Sequence, residues 1–250
     1  MTAHNEGIML EHCIRMIHRN TREIKDTYSF SFEILIALDN PNYETIKVAE
    51  FLQGLNENIQ IFRFNHGDVG LVRSKMIDHC NFNNVFFVDA DDLWSKNWLQ
   101  KVLSKRNIPL KKIYHPELTF FKMEHETKVL KNFKSNKLSS KKWSLLFENL
   151  WSSSFAINKD TFLISRFKSG GLNSESKIHA FEDWTFFRDA CYSGIQHKII
   201  SGTFHLHRQK KISNTSLSTN KLPHPVIFDV KLFRYSIKQI PVANLSEKAI

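Results

Sequence analysis

Three aspartates follow a short, uninterrupted apolar stretch of the chain. Residues 85–88 are all apolar, and Asp89, Asp91 and Asp92 come directly after them. An uninterrupted apolar run predicts a strand buried on both faces. Carboxylates crowded at a strand end repel one another unless a cation lies between them, and hard divalent cations prefer oxygen ligands. The pattern therefore indicates a site for a metal and a phosphorylated ligand at the carboxyl edge of a sheet.

Turn and capping roles explain the same acids without a metal. Asp91, Asp92 and Ser95 precede a predicted helix that begins near residue 95. Asp and Ser are common in turns and at helix N-caps. From these residues alone, the metal site and the turn are equally supported.

A second acidic pair, Glu182 and Asp183, precedes Trp184 at the start of a predicted helix over residues 181–192. Acids in the first turn of a helix also suit its macrodipole, by about 0.3–1 kcal/mol. Taken alone, this structural explanation is favoured over a catalytic one. Arg73 lies at the end of a glycine-containing stretch, residues 67–73, where another helix is predicted to begin. A glycine-containing entry to a helix is a candidate anion site. The stretch is not a Walker A motif, because it lacks Gly-Lys-Ser/Thr.

Two histidines, His205 and His207, lie at the end of a predicted strand. Only one of them is expected to face a site and to bind a metal. The alternative is that neither histidine binds a metal and that both are ordinary surface or core residues. Arg208 and the lysines that follow it are candidates for holding a diphosphate, or for a solvated loop.

Helical and strand-like patterns alternate along the chain. Helices are predicted over residues 8–18, 45–55, 69–80, 143–150 and 181–192. Strands are predicted over residues 32–38, 59–64, 84–88, 153–157 and 199–207, with one or two more over 113–123. Residues 131–142 are rich in Lys and Ser and are expected to form a mobile surface loop or linker. This alternation predicts a largely parallel sheet covered by helices on both faces.

Composition narrows the class of protein. The chain has 250 residues, is 42% hydrophobic and carries a formal net charge of +10, which favours a polyanionic partner. Its three cysteines lie far apart, so a reducing compartment is expected. No apolar run has the length of a membrane span or of a signal-peptide core. We therefore expect a cytoplasmic protein whose lysines allow peripheral contact with an anionic membrane.

Taken in order, the motifs resemble those of the inverting family-two glycosyltransferases with a GT-A fold, over about residues 2–216. The matching segments are Asn5-Glu6, Asp39, Gly67 to Arg73, Asp89-Ala90-Asp91-Asp92, Gly170-Gly171-Leu172, Glu182-Asp183-Trp184 and His205 to Arg208. The resemblance implies an α/β, GT-A-like nucleotide-diphospho-sugar transferase fold with a mostly parallel central sheet flanked by helices. Its first strand is expected to be truncated, because Asn5 lies so close to Met1. Residues 217–250 would then be a C-terminal tail.

The resemblance also implies roles for the residues on the donor side. Asp39 would pair with the nucleobase, and Asp89 would contact the ribose or the metal. Asp91 would be the principal ligand of Mn²⁺ or Mg²⁺, supported by Asp92, and His207, or else His205, would complete the metal or diphosphate site. Asn5, Glu6 and Arg73 would also lie on the donor side.

Asp183 resembles the catalytic base of the family, with Glu182 beside it. The implied reaction moves a sugar with inversion from a nucleotide-diphosphate-sugar, expected to be a UDP-sugar, to a hydroxyl of a glycan, lipid-linked or protein acceptor. Glycan or cell-surface polysaccharide synthesis is the implied process. No nucleic-acid partner is expected, because the basic residues are scattered and no nucleic-acid-binding motif accompanies them.

Two other classes of protein share part of the pattern. A haloacid dehalogenase-type phosphatase also places Asp-x-Asp after an apolar strand, but it would use Asp89 as a covalent nucleophile. A degenerate, non-catalytic GT-A-like binding module is the other alternative, and the short first strand is its best support.

Overall fold

The strands in the described part of the chain form two sheets that meet beside residues 89–92, which we call the acidic segment. A computed structural model describes residues 1–25, 27–105, 107–122, 127–133, 145, 148–168 and 181–208. The first sheet has the order β1-β2-β3 and all its strands are parallel. Its strands are β1 (Thr2–Ala3), β2 (Ile34–Asp39) and β3 (Ile59–Phe64). Thr2 also forms an isolated parallel bridge with Asp89, and this bridge links the two sheets.

The second sheet is mixed and has the order β4-β8-β6-β9-β5, with β7 paired to β6. Its strands are β4 (Asn84–Phe87), β5 (Leu93–Trp94), β6 (Lys112–Lys122), β7 (Thr127–Lys131), β8 (Phe155–Asn158) and β9 (Gln196–Arg208). Only β6 and β9 run parallel; the other pairs are antiparallel. The predicted α/β class is confirmed, and its sheet is partly mixed.

Six α-helices are present in the described part of the chain. They are α1 (Ile8–Lys25), α2 (Tyr43–Leu55), α3 (Val69–Met76), α4 (Lys96–Leu103), α5 (Lys159–Ile164) and α6 (Glu182–Tyr192). Local sequence sets two of the starts: Asn42 caps α2 by accepting from the Thr45 N–H at 2.9 Å, and Asp68 caps α3 by accepting from the Leu71 N–H at 3.1 Å. None of the helices in these described segments is both long and apolar enough to cross a membrane.

Strand β1 is as short as the sequence suggests, with two residues. Its pairing extends back to the first residue, because the Met1 carbonyl accepts from the Ala37 N–H at 2.9 Å. The Met1 amino group donates to the Leu35 carbonyl at 2.8 Å. The short strand therefore still places residues 2 and 3 between β2 and Asp89.

Several predicted boundaries differ from the structure. The helix predicted over residues 69–80 ends at Met76 and continues as a 3-10 turn. Residues 112–122 form one strand, whose register shifts between Pro116 and Leu118 because proline lacks the N–H that the ladder needs. The prediction of a linker from residue 131 was wrong at its start, since Lys131 belongs to β7 and Asn132 is buried.

Some predictions fall on residues outside the described ranges. These are the rest of the predicted linker (134–142), most of the helix predicted over 143–150, the Gly170-Gly171-Leu172 motif and the tail from residue 217. Within 143–150, residues 148–150 are described and are not helical, so the helix prediction was wrong there.

An aromatic cluster fixes α6 against the second sheet. Phe186 and Phe187 of α6 pack on Phe155 of β8, with ring centroids 5.5 and 5.2 Å apart. Phe155 in turn stacks on Phe87 of β4 at 4.6 Å. Burying a large aromatic side chain contributes about 1.5–3 kcal/mol. This packing holds the start of α6, with its acidic pair, close to the end of β4.

A pair of histidines lies at the centre of the same core. His115 of β6 and His197 of β9 are fully buried, and His115 Nε2 lies 2.8 Å from His197 Nδ1. The Trp151 ring stacks on His197 with centroids 3.8 Å apart. Burial lowers the pKa of His197 to about 3 and lowers the pKa of His115 well below its usual value. Both rings are therefore neutral in the folded protein.

This pair makes stability depend on pH. The unfolded chain protonates both histidines below about pH 6.5, whereas the folded protein does not, so stability is lost as pH falls from about 6.5 towards 3. Each histidine contributes a slope of up to about 1.4 kcal/mol per pH unit. We expect the variant His115→Gln/His197→Gln, whose amides do not titrate, to show a shallower decline in urea unfolding between pH 7 and 4.5. Equal slopes for the two proteins would contradict the neutral pair.

Candidate active site

Asp89 is tied into the fold through both carboxylate oxygens. It follows β4 and lies beside β1. Thr2 Oγ1 donates to Asp89 Oδ1 at 3.4 Å, and Ser153 Oγ donates to Asp89 Oδ2 at 3.2 Å. The Arg73 guanidinium makes a short charged hydrogen bond to Oδ1. Asp89 is thus an anchored, ion-paired carboxylate.

Arg73 joins the two acidic motifs of the sequence. It lies on α3 and is 5% exposed, and its Nη1 donates to Glu182 Oε1 at 3.0 Å while Nη2 contacts Asp89. Burial opposes the charged form, but the carboxylates of Asp89 and Glu182 outweigh it and the pKa of Arg73 is raised. Arg73 was predicted to lie on the donor side, and in the structure its guanidinium bonds to these two carboxylates.

The close approach of α3 to residue 182 requires a glycine on α3. A Cβ at Gly70 would lie 2.8 Å from the Lys168 carbonyl oxygen and 2.9 Å from Glu182 Cβ. Neither atom is at the end of a flexible side chain, so any larger residue would push α3 away. Gly70 thereby sets the distance that lets Arg73 reach Glu182.

Glu182 and Asp183 are the first two residues of α6, and the pKa of each carboxyl group is raised. Burial raises the pKa of Glu182 to about 7, with Arg73 opposing the shift and Asp183 adding to it. Burial likewise raises the pKa of Asp183 against the attraction of Arg73. Asp183 Oδ1 accepts from the Trp184 N–H at 2.7 Å, and Oδ2 accepts from Asn149 Nδ2 at 3.1 Å. A carboxylate with a raised pKa is better matched to accepting a proton near neutral pH.

Asp92 is a fully buried carboxylate at the other end of the acidic segment. His205 Nε2 lies 2.7 Å and His207 Nδ1 3.1 Å from Asp92 Oδ2, and the Arg208 N–H donates to Oδ1 at 3.1 Å. Burial alone would raise the pKa of Asp92, but the two imidazoles outweigh it and lower that pKa. Burial would lower the pKa of His207, yet Asp92 raises it to about 9.

The expectation that only one histidine faces the site was wrong. His205 and His207 both contact Asp92, because residues i and i+2 of a strand lie on the same face. Leu206 lies between them and pairs with Leu93 of β5 instead.

The turn expected at the acids is present, because the Asp92 N–H donates to the Asp89 carbonyl at 3.1 Å, but the capping role is not. Ser95 occupies the N-cap position of α4 but makes no side-chain capping bond, and its hydroxyl accepts from the Phe204 N–H at 3.0 Å. The Asp92 carboxylate likewise bonds to β9. Asp91 is 9% exposed, with Oδ2 at 3.7 Å from Arg208 Nε. The acidic segment is therefore fastened to the end of β9.

Asp39 is the last residue of β2, in the first sheet. Its Oδ1 accepts from the His66 N–H at 2.7 Å, and its carbonyl accepts from His4 Nδ1 at 2.7 Å. Asn5 Oδ1 accepts from the Asn42 N–H at 3.0 Å, and the Glu6 carboxylate accepts from the His4 N–H. In this structure Asn5 and Glu6 thus make contacts within the loops beside Asp39.

The residues around Asp92 fit a divalent transition metal. One ligand atom each from Asp92, His205 and His207 lie within 4.8 Å of one another. His205 Nδ1 is buried and has no hydrogen-bond partner among the described residues. A set of carboxylate oxygens and imidazole nitrogens suits Mn²⁺ better than Mg²⁺, which prefers oxygen alone.

Three polar residues of the site carried no signal in the sequence. Thr2, Asn149 and Ser153 contact Asp89 or Asp183 from positions 34 to 87 residues away along the chain. Their spacing matches no motif, so only the tertiary structure identifies them.

Solved structures share this fold. S. aureus TarS 1-349 in complex with UDP-GlcNAc superposes with a TM-score of 0.59 and 12% sequence identity, covering 86% of this chain and 59% of that one. GalNAc-T7 with UDP, GalNAc and Mn²⁺ superposes with a TM-score of 0.57 and 14% identity, covering 84% and 43%. The chain therefore spans less than two thirds of the length of either structure.

Sequence comparison adds the family. No curated protein matches the chain significantly. The family described as glycosyl transferase family 2 matches residues 1–200. The expected GT-A-like fold is confirmed, and because this match covers most of the sequence, the chain belongs to glycosyl transferase family 2.

Proposed function

We propose that this chain transfers a sugar from a nucleotide-diphosphate-sugar to an acceptor hydroxyl with inversion. One observation carries the proposal: Arg73 contacts both Asp89, after β4, and Glu182, at the start of α6. This contact supports placing Asp89, assigned to the donor, in one site with the Glu182-Asp183 pair, assigned to the acceptor. TarS was solved with UDP-GlcNAc and GalNAc-T7 with UDP, which supports a UDP-sugar as the donor.

Asp91, Asp92 and His207 are the proposed holders of a divalent cation, Mn²⁺ or Mg²⁺, with His205 behind them. When bound, such a cation neutralises the charge that develops on the departing diphosphate. Asp92 Oδ2 contacts both imidazoles, so the three side chains are already gathered at one point. The mixed donor set and the Mn²⁺ in GalNAc-T7 favour manganese.

Asp183 is the proposed base. It takes the proton of the acceptor hydroxyl as that oxygen attacks the anomeric carbon, while the bond from that carbon to the diphosphate oxygen breaks. Attack from the face opposite the leaving group inverts the anomeric centre. Glu182 is paired with Arg73, which leaves Asp183 as the better placed of the two acids. Asp39 is proposed to contact the nucleobase, and Asn5 and Glu6 to support that side.

The acceptor is proposed to be a glycan, a lipid-linked sugar or a protein, in glycan or cell-surface polysaccharide synthesis. The net charge of +10 supports contact with an anionic membrane face from the cytoplasm. Residues 1–216 are proposed as the transferase domain and 217–250 as its tail.

The phosphatase alternative is less well supported. It requires Asp89 as an attacking nucleophile, but both Asp89 oxygens accept hydrogen bonds and one pairs with Arg73. A paired and anchored carboxylate is a poor nucleophile.

We expect Asp183→Asn to lower kcat by about 10²–10⁴-fold, the usual contribution of a general base. Donor binding should persist, because Asp183 is assigned to the acceptor. UDP release from a panel of UDP-sugars with Mn²⁺ measures the rate, and thermal stabilisation by the same UDP-sugars measures binding. Asp160→Asn is the matched control, since Asp160 also lies in the first turn of a helix but is exposed. Loss of donor binding in Asp183→Asn would contradict its role as the base.

We expect Asp91→Asn to abolish both metal-dependent turnover and the rise in Tm that Mn²⁺ gives the wild-type protein. Circular dichroism should show an unchanged fold, because asparagine has nearly the size of aspartate and the ion pair it would lose, to Arg208 Nε, is long at 3.7 Å. Thermal melts with and without Mn²⁺ and a chelator provide a measurement independent of activity. Full wild-type activity in excess chelator would rule out the metal.

Removing Arg73 should destabilise the protein strongly. Arg73→Met leaves the Asp89 and Glu182 carboxylates without their cation, and breaking a buried ion pair typically costs about 3–5 kcal/mol. Arg166→Gln is the control, because its pair with Asp78 is exposed and should cost no more than about 1 kcal/mol. Urea unfolding at pH 8 measures both. Similar losses in the two variants would show that Arg73 does not hold the site together.

A further inference from the structure

We propose that Asn149 is the positioning residue for the base: its amide holds Asp183 in place and keeps it available to accept a proton. The inference rests on the proposed function, because it deepens the role given to Asp183. The family motifs do not include Asn149, and its neighbours along the chain gave no indication of it.

The orientation of the Asn149 amide follows from its contacts. Asn149 Oδ1 accepts from the Trp151 N–H at 3.3 Å, in a turn that asparagine commonly forms with the residue two positions on. The amide oxygen is therefore used by the backbone, and the NH₂ group is the one that faces Asp183. Asn149 Nδ2 donates to Asp183 Oδ2 at 3.1 Å.

The turn that carries Asn149 is firmly anchored. Trp151 is 1% exposed, its indole N–H donates to the Phe133 carbonyl at 2.8 Å, and its ring stacks on His197. The Leu150 carbonyl accepts from the Phe133 N–H at 3.3 Å. A donor on such a rigid turn can fix a carboxylate on a neighbouring helix.

Asp183 is held from two sides by this arrangement. The Trp184 N–H serves Oδ1 and the Asn149 amide serves Oδ2, whereas an ionised carboxylate has about four sites that accept hydrogen bonds. Sites remain on each oxygen for the hydroxyl of an acceptor. Two donors fix the plane of the carboxylate, so the direction in which it accepts the proton is set before the acceptor binds.

The charged groups near Asp183 oppose one another. Burial disfavours its ionised form, Arg73 on α3 favours it, and Asp89 after β4 and Glu182 on α6 disfavour it. The Asn149 hydrogen bond, like Arg73, favours the ionised form of Asp183, because hydrogen bonds donated to a carboxylate stabilise its charge. Replacing this donor by an acceptor should therefore make Asp183 harder to ionise.

The variant Asn149→Asp tests this directly. An aspartate at 149 keeps an oxygen for the Trp151 N–H but turns a second carboxylate oxygen towards Asp183. We expect the acidic limb of the kcat/KM profile to move up by at least about one pH unit, which means about a tenfold loss of rate below that limb. The rate should recover at higher pH, and donor affinity should not change. Asn149→Leu, which removes the donor without adding charge, should shift the limb less.

Glu148→Gln is the matched control, since Glu148 is the exposed neighbour of Asn149. It should leave the pH profile in place. If Asn149→Asp instead lowers the rate by the same factor at every pH, Asn149 has only a structural role and the inference fails.

A second measurement separates this inference from the proposed function. Carboxylate ¹³C NMR follows the titration of Asp183 in the wild-type protein, Asn149→Asp and Asn149→Leu without any turnover. A raised titration midpoint in the variants supports the inference even if no UDP-sugar is consumed, in which case only the proposed function fails. An unchanged midpoint overturns the inference whatever the activity.

Discussion

The site depends on one buried cation between two carboxylates. Arg73 is almost fully enclosed and bonds to Asp89, 16 residues away along the chain, and to Glu182, 109 residues away. Burying these groups singly would be costly, and their mutual pairing offsets that cost only while all three keep their positions. This requirement locks α3, the end of β4 and the start of α6 together. The planar fork of arginine can serve two carboxylates at once, which a lysine could do less well.

The same principle organises the other end of the acidic segment. Asp92 is fully buried, and it is compensated by two imidazoles and one backbone N–H from the end of β9. This compensation holds the end of β9 beside β5, and both histidines contact Asp92. Both ends of one short segment are thus held by charge pairing with distant elements. Such pairing pre-organises a polar site. When the site is already ordered, the free-energy cost of ordering its side chains on binding a charged ligand is smaller.

The aromatic core explains how the acids of α6 are kept in reach. Phe155, Phe186 and Phe187 interlock beneath the site, and the rings leave little freedom for α6 to slide. Core packing is dense enough to transmit small displacements, so a shift of α6 would move Asp183 directly. The neutral pair of His115 and His197 belongs to this core and supports Trp151, which anchors the turn of Asn149. The position of the Asp183 carboxylate is therefore set both by the aromatic packing of α6 and by its hydrogen bond from Asn149.

The sequence by itself determined the elements and the acids that end them. The apolar run before Asp89 predicted β4, and the spacing of apolar residues predicted α1, α2, α6 and most strands, because these patterns follow from local periodicity. It missed β7, whose residues are mostly exposed and lysine-rich, and it misjudged the shared face of His205 and His207. Only the tertiary structure decided that Arg73 would pair with Glu182, that both histidines would meet Asp92, and that Asn149 would reach Asp183. Those partners lie 34 to 115 residues apart, and no local pattern in a sequence records which distant residues the fold will bring together.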